Sequence, residues 1–572
     1  MGQVVQMMDS EGSTYTHRDM NQQITQVTRV HQDVRNEENG LEEISRNETG
    51  QESVSYTYSI WGNQTELIYL DGTSVINTYD ALDRLVSVND STGVSQISYL
   101  TDEHQIIETR NRWTKTRTYE LDQIISFRET VLNEEDEEVV LFSQVLSYDE
   151  TGQVIREERT QNNVLTVIEN EYNLRGELRQ STQTCGNSKV TYLYTTTPWG
   201  NKSETILREV NGEVSIESKT FTFNHLNQME HVIQDTVETT FTYDARGNLI
   251  EERIGSQVTK TYTYDVSNRL IKVQDASETQ KYAYDGDGNR LTKTIQDTIT
   301  QDISHQVYYV NDTSVENERV IQVQDNTENR NVVYGLERIH EAGVLYLSDS
   351  YGNIIQHGTK TYAYTPYGEL TEGTITGVNE AGYKGEVHDT ESLQYLRART
   401  YHTKYQVFLS EDTVVGCDTH PLSQNRYTFA LNNPYKYSDP SGNVPQSFDD
   451  GNKQAKAPVG RQWTIQDEQA FQEAEVEQIN QYVKPIKDND NKTDEPIIDN
   501  APLYDDLGAL QRALNQKTQD SINASKKIAL DDSLNPYNYQ PNITGNKDSN
   551  SKKGYNESTF INDGLNFLDE RL

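Results

Sequence analysis

The chain has 572 residues, 33% hydrophobic content, a formal net charge of −40 and a mean hydropathy of −0.83. So acidic a surface excludes sequence-independent binding of the repeat region to nucleic acid through phosphates, and it disfavours docking on anionic lipid. No run of about 18 apolar residues is present, which excludes a transmembrane helix, and the polar average suits a one-layer sheet with two wet faces better than a compact globule.

The N-terminus lacks the basic and apolar pair of a signal peptide. Gly2-Gln3-Val4-Val5-Gln6-Met7 reads as the second half of a repeat already under way, and Tyr15 to Ile24 as a degenerate next copy. From there tyrosines recur about every 20 residues, as at Tyr79, Tyr99 and Tyr119, and again through Phe223, Tyr243, Tyr264 and Tyr284. The clearest copies are Tyr243-Asp244-Ala245-Arg246-Gly247-Asn248-Leu249, Tyr264-Asp265-Val266-Ser267-Asn268-Arg269-Leu270 and Tyr284-Asp285-Gly286-Asp287-Gly288-Asn289-Arg290-Leu291. Weaker copies start at Tyr58, Tyr148, Tyr172 and Phe223. In each, the Asp caps a turn and the Gly or Asn accepts positive φ, while the flanks alternate Tyr and Thr with polar residues. Each repeat is therefore a β-hairpin. A lone hairpin is marginal in water, so neighbours must zip side by side into one long antiparallel sheet.

These Tyr-Asp-x-x-Gly-Asn/Arg-Leu copies resemble the RHS/YD-repeat family over roughly residues 1–443. The resemblance implies an all-β strip that spirals into a hollow shell. Three segments follow: YD repeats over 1–344, an RHS-repeat-associated core over 345–443, and a variable C-terminal tail over 444–572. The core is marked by Tyr362-Ala363-Tyr364-Thr365-Pro366-Tyr367-Gly368, Leu393 to Arg399, Asn425 to Pro434, and Tyr437-Ser438-Asp439-Pro440-Ser441-Gly442. Arg399 and Asp412, thirteen residues apart, keep the family spacing, and Phe408 keeps its place. Thr400, His402, Thr403, Gln406 and Val407 depart from the family pattern. The family core is similar to a built-in aspartyl protease that cuts just past Asp-Pro-x-Gly. By that resemblance Arg399 orients the site, Asp412 and Asp439 are its carboxylates, and the cut falls between Asn443 and Val444, where the family usually has Leu in place of Asn443. Two close carboxylates sharing a proton can divide the roles of acid and base. Read from the residues alone, Asp412 and Asp439 are turn formers and Arg399 a paired residue on a sheet face.

Past Gly442 the tyrosine repeats stop. Residues 488–492 and 546–553 have the composition of disorder. The spacing predicts helices after Thr464, along the stripe Leu503, Leu507, Leu510 and Leu514, and along Ile561, Leu565, Leu568 and Leu572. The tail has no His and no Cys, and it receives no catalytic residue, metal or cofactor. Cys185 and Cys417 have neither metal nor disulfide spacing.

At about 3.3 by 4.8 Å per strand residue, roughly 440 residues at about 60% strand close around an inner radius of about 13 Å, below the ~18 Å of a compact tail. The chain is expected to need further shell, from missing N-terminal repeats or a partner subunit. The resemblance implies a secreted or cell-surface bacterial toxin-delivery protein, with an immunity protein as partner for the tail and an export signal absent from this chain. The other functional class left open is a cell-surface array binding carbohydrate or protein without catalysis; a third reading is a decayed, inactive cassette.

Overall fold

A computed structural model describes residues 4–9, 12–31, 51–315, 317–325, 328–376, 378–414, 416 and 421–447. All lie within the compact unit Met1–Gln462. Cys417, the three helical stripes and the two disorder-like stretches of the tail fall outside the described residues.

Hairpin follows hairpin, as the repeat requires. From Val4–Asp9 to Lys360–Thr361 each strand among the described residues pairs antiparallel with the next in chain order, giving one 32-stranded sheet. In the copy at Tyr243, the Asp244 N–H donates to the Asn248 carbonyl at 2.8 Å and the Gly247 N–H donates to the Asp244 carbonyl at 3.1 Å. Asp244 Oδ1 accepts the N–H groups of Arg246 and Asn248, both at 2.9 Å. The register shifts by one residue just before Tyr243, which then pairs with Leu249. This is a type I turn closed by a bulge, and the bulge residue must be left-handed. Gly247 fills it at φ 79°, and Asn268 does so in the next copy at φ 62°. The degenerate first copy folds the same way, with Asp19 Oδ1 accepting from Asn21 and Gln23 at 2.8 and 2.9 Å and Arg18 in the tyrosine's place.

The tyrosine has a second task, which joins repeats. Its hydroxyl donates to the carbonyl of the residue that closes the preceding turn. Tyr99 reaches Leu85 at 3.0 Å, Tyr172 reaches Val154 at 2.7 Å and Tyr284 reaches Leu270 at 2.6 Å. The turns also bond to one another along the rim, as in Asn248 Nδ2 to Asn268 Oδ1 at 3.0 Å and Arg269 Nη1 to the Asp285 carbonyl at 2.7 Å.

After Thr361 the sheet gives way to a two-stranded piece, Ala363–Tyr364 with Leu370–Glu372, and a five-stranded sheet from Glu380–Ala381 to Val407–Phe408. This terminal module packs on one face of the strip. Leu146, Ile168, Leu178, Tyr192 and Ile206 of the strip share a core with Tyr367, Tyr383, Tyr401, Phe408 and Phe429. The expectation of two wet faces is corrected here: over these strands one face is buried. Alternate residues of the strand Trp113–Glu120 are Trp113, Lys115 and Arg117, all buried. The charges are tolerated because they are paired. Lys115 meets Glu129 at 3.0 Å and Glu337 at 3.2 Å, and Arg117 meets Glu337 at 2.8 Å.

A row of module side chains also reads the hairpin turns. Asn433 Nδ2 donates to the Gly176 carbonyl and Asn432 Nδ2 to the Gly200 carbonyl, each at 2.8 Å, and the Tyr427 hydroxyl donates to the Gly247 carbonyl at 2.9 Å. Two pockets of about 330 and 450 Å³ lie between strip and module. Among the described residues no helix is long and apolar enough to cross a membrane; this says nothing about strands.

Candidate functional site

The strand Arg399–His402, the extended segment at Asp412 and the short hairpin Tyr437–Ser438 with Gln446–Ser447 converge on one point. Arg399 is buried, its guanidinium carbon 3.6 Å from the centre of the Phe408 ring. Its Nη2 lies 2.8 Å from Asp412 Oδ2 and 3.5 Å from Asp439 Oδ2. Its Nη1 donates to the Arg426 carbonyl at 2.8 Å, and its Nε donates to the Gly442 carbonyl. The three residues singled out from the sequence are thus brought together, with one guanidinium between two carboxylates.

The backbone at 442–444 is held against them. Gly442 is left-handed, at φ 74°, and a Cβ there would stand 2.2 Å from the Leu396 carbonyl oxygen, so the chain passes only as glycine. The Val444 N–H donates to Asp439 Oδ1 at 3.0 Å and to Ser441 Oγ at 3.0 Å. Ser441 Oγ donates to Asp439 Oδ1 at 3.1 Å and accepts the Asn443 N–H at 3.2 Å. The nitrogen of the Asn443–Val444 peptide therefore sits on a buried carboxyl group.

Burial pushes the Asp439 carboxyl up to about 6, against the pull of Arg399 and Ser441 and with a small push from Asp412. Burial also raises the half-buried Asp412, although Arg399 and the Val414 N–H favour its ionised form. Burial lowers the Arg399 guanidinium, which its two carboxylates oppose. The arrangement can hold one proton between two acids, with the more buried one beside a peptide nitrogen.

The sequence reading missed Ser441 as a partner of both Asp439 and Val444. Its only signal was its place inside Asp439-Pro440-Ser441-Gly442, where a serine hydroxyl in a turn bonds nearby backbone. Of the two cysteines, Cys185 is a free thiol on the strand Leu178–Cys185 of the strip.

Residues 198–408 match the family model described as Teneurin YD-shell. The chain is 26% identical over 281 residues to the tRNA3(Ser)-specific nuclease WapA of Bacillus spizizenii, and 26% identical over 283 residues to the tRNA nuclease WapA of Bacillus subtilis. Each match spans 47% of this chain and covers about a tenth of the length of the curated relative (11%). Among solved structures, the Tc holotoxin pore of Photorhabdus luminescens shares the fold at a TM-score of 0.50 and 17% identity, over 80% of this chain and 24% of that one. The hairpin strip, the turn chemistry and these likenesses agree: residues 198–408 match the teneurin YD-shell, and the chain is similar to RHS/YD-repeat proteins.

Proposed function

We propose that this YD-shell segment cuts its own chain between Asn443 and Val444 and so frees the segment that begins at Val444 from the terminal module. The observation that carries this reading is the hydrogen bond from the Val444 N–H to the buried Asp439 carboxyl, beside Asp412 and Arg399. When a peptide bond breaks, its nitrogen must gain a proton. Asp439, raised to about 6, holds that proton at the leaving nitrogen, and Asp412 takes one from the attacking group, a water molecule in the ordinary two-carboxylate scheme. Arg399 fixes both carboxylates and the neighbouring Gly442 peptide. A domain limit at 443 follows from this reading, whereas the repeat sheet runs on past 344 to Thr361.

The matched region makes up about a tenth of each relative's length. We infer that further shell, in the same chain or from a partner subunit, completes the enclosure, and that the freed segment is the effector, with an immunity protein as its partner. The relatives' names make a nuclease one candidate class for such an effector. Delivery by a bacterium to the outside or to its own surface belongs to the same reading.

The test is denaturing mass analysis of the purified full chain. A product with Val444 at its N-terminus is expected, absent in Asp439→Asn and Asp412→Asn. Cutting should slow as pH rises above about 6, because Asp439 then loses the proton it must donate. A folded wild-type chain that stays whole across pH 4 to 8 overturns the reading.

A further inference from the structure

Asn443 has no part in the acid–base scheme above, yet it carries the carbonyl carbon that is attacked. The two peptide planes around it are fixed. Arg399 Nε holds the Gly442 carbonyl, Ser441 Oγ accepts the Asn443 N–H, and Asp439 with Ser441 holds the Val444 N–H. The side-chain oxygen, Asn443 Oδ1, is buried with no hydrogen-bond partner among the described residues.

An asparagine amide nitrogen closes a five-membered ring when it meets its own main-chain carbonyl carbon. Such ring closures are favoured by proximity, and they need no water. The competing ring, in which the next residue's nitrogen attacks the asparagine side chain and causes deamidation, is suppressed here. Val444 is β-branched, and its N–H is occupied by Asp439 and Ser441. The leaving nitrogen, by contrast, already donates to the carboxyl group that would protonate it on departure.

We propose that Asn443 is the nucleophile of its own cleavage. This rests on the reading that the chain is cut at 443–444, and it names the attacking group. Asn443 Nδ2 attacks the Asn443 carbonyl carbon and loses one proton to Asp412. The bond from that carbon to Val444 N breaks, and Asp439 delivers a proton to the departing nitrogen. One N–C bond forms, one breaks, and a proton moves from Nδ2 to Val444 N by way of the two carboxyls. No water is consumed. The products are a cyclic imide at the C-terminus of residues 1–443 and a free amine on Val444.

The experiment is intact-mass analysis of the full chain, quenched in acid at early times, with parallel samples trapped in mild hydroxylamine. Asn443→Leu, which keeps the size and removes the amide, and Asn443→Gln, whose ring is one member larger, are run beside wild type. The expected N-terminal fragment is one water lighter than a hydrolytic product and is captured as a hydroxamate. Asn443→Leu stays whole and Asn443→Gln is cut at least about tenfold more slowly, while both melt like the uncut Asp439→Asn chain. A fragment that carries a free acid from the earliest time, with Asn443→Leu cut as fast as wild type, overturns the asparagine nucleophile and leaves cleavage standing. A wild-type chain that is never cut overturns both.

Discussion

The repeat strip and the terminal module are built from the same tyrosines, aspartates and asparagines, but the bonds they make differ in reach. In the strip, Asp265 bonds backbone two and four residues on, and Tyr284 bonds back only 14 residues. In the module, Asn432 reaches back 255 residues to Glu177 and Lys436 reaches back 285 to Thr151. Strip contacts form as soon as neighbouring hairpins exist. Module contacts form only once the strip has presented a finished face and a finished row of turns, at a much larger loop-closure cost. The strip is therefore a sum of near-identical local units, and the module is a lock that checks whether they are in register.

The contrast breaks most directly at Asp389, a module residue between Arg290 and Lys293 of the strip at 2.6 and 3.0 Å, all three buried. Asp389→Asn keeps the shape and strands two buried cations. The expected loss is about 3–5 kcal/mol in urea unfolding. A loss as small as that of an exposed ion pair would show that the module does not lock the strip.

Next in size is a pH effect confined to the module. Asp439 is raised from 3.8 to about 6, so the folded state holds its proton more tightly than the unfolded chain does. Its stabilising contribution is complete below about pH 4 and is lost as pH rises through about 6, by about 3 kcal/mol for a shift of roughly two units. Unfolding of uncut chain at pH 4 and 7, against Asp439→Asn made in an uncut background, measures it. The variant should lack that part of the slope.

Two glycines sharpen the comparison further. Gly247 and Gly255 are both left-handed, at φ 79° and 58°, and both lie at hairpin turns of the strip. A Cβ on Gly255 meets nothing within 4 Å, whereas one on Gly247 stands 2.6 Å from the Tyr427 hydroxyl of the module. Gly255→Ala should cost about 1 kcal/mol of backbone strain, and Gly247→Ala at least about twice that. Equal losses would mean that the turn row does not bear the module. The smallest effect belongs to a bond inside the strip. Tyr284→Phe removes the hydroxyl bond to Leu270 and should cost about 1 kcal/mol, seen as faster amide exchange in the two hairpins it joins and not in the module.

The strip was legible because its determinants are local. A turn that needs an acceptor at its first position and a left-handed residue at its fourth leaves a motif, and even the copy at Arg18 to Ile24 kept its Asp19. Lys115, Arg117 and Glu129 were not legible as interior residues, because alternating charges on a strand read as a solvent face. What buries them is Glu337 and Ser348 in late hairpins of the same strip, more than 200 residues further along the chain. The site stood between these cases. Arg399, Asp412 and Asp439 were singled out through family spacing, not through chemistry visible in their neighbours. Ser441 was overlooked because a turn serine is commonplace until its two partners are known.

The order of residues alone determined a hairpin sheet of indefinite length, since each unit carries its own turn, its own bulge and the hydroxyl that fastens it to the unit before. It could not determine which face of that sheet is wet, nor that a guanidinium, two carboxyls and a peptide nitrogen share one buried point. Those were decided by the terminal module folding back over strands hundreds of residues away, where removal from water changes both the charge a side chain tolerates and the proton it holds.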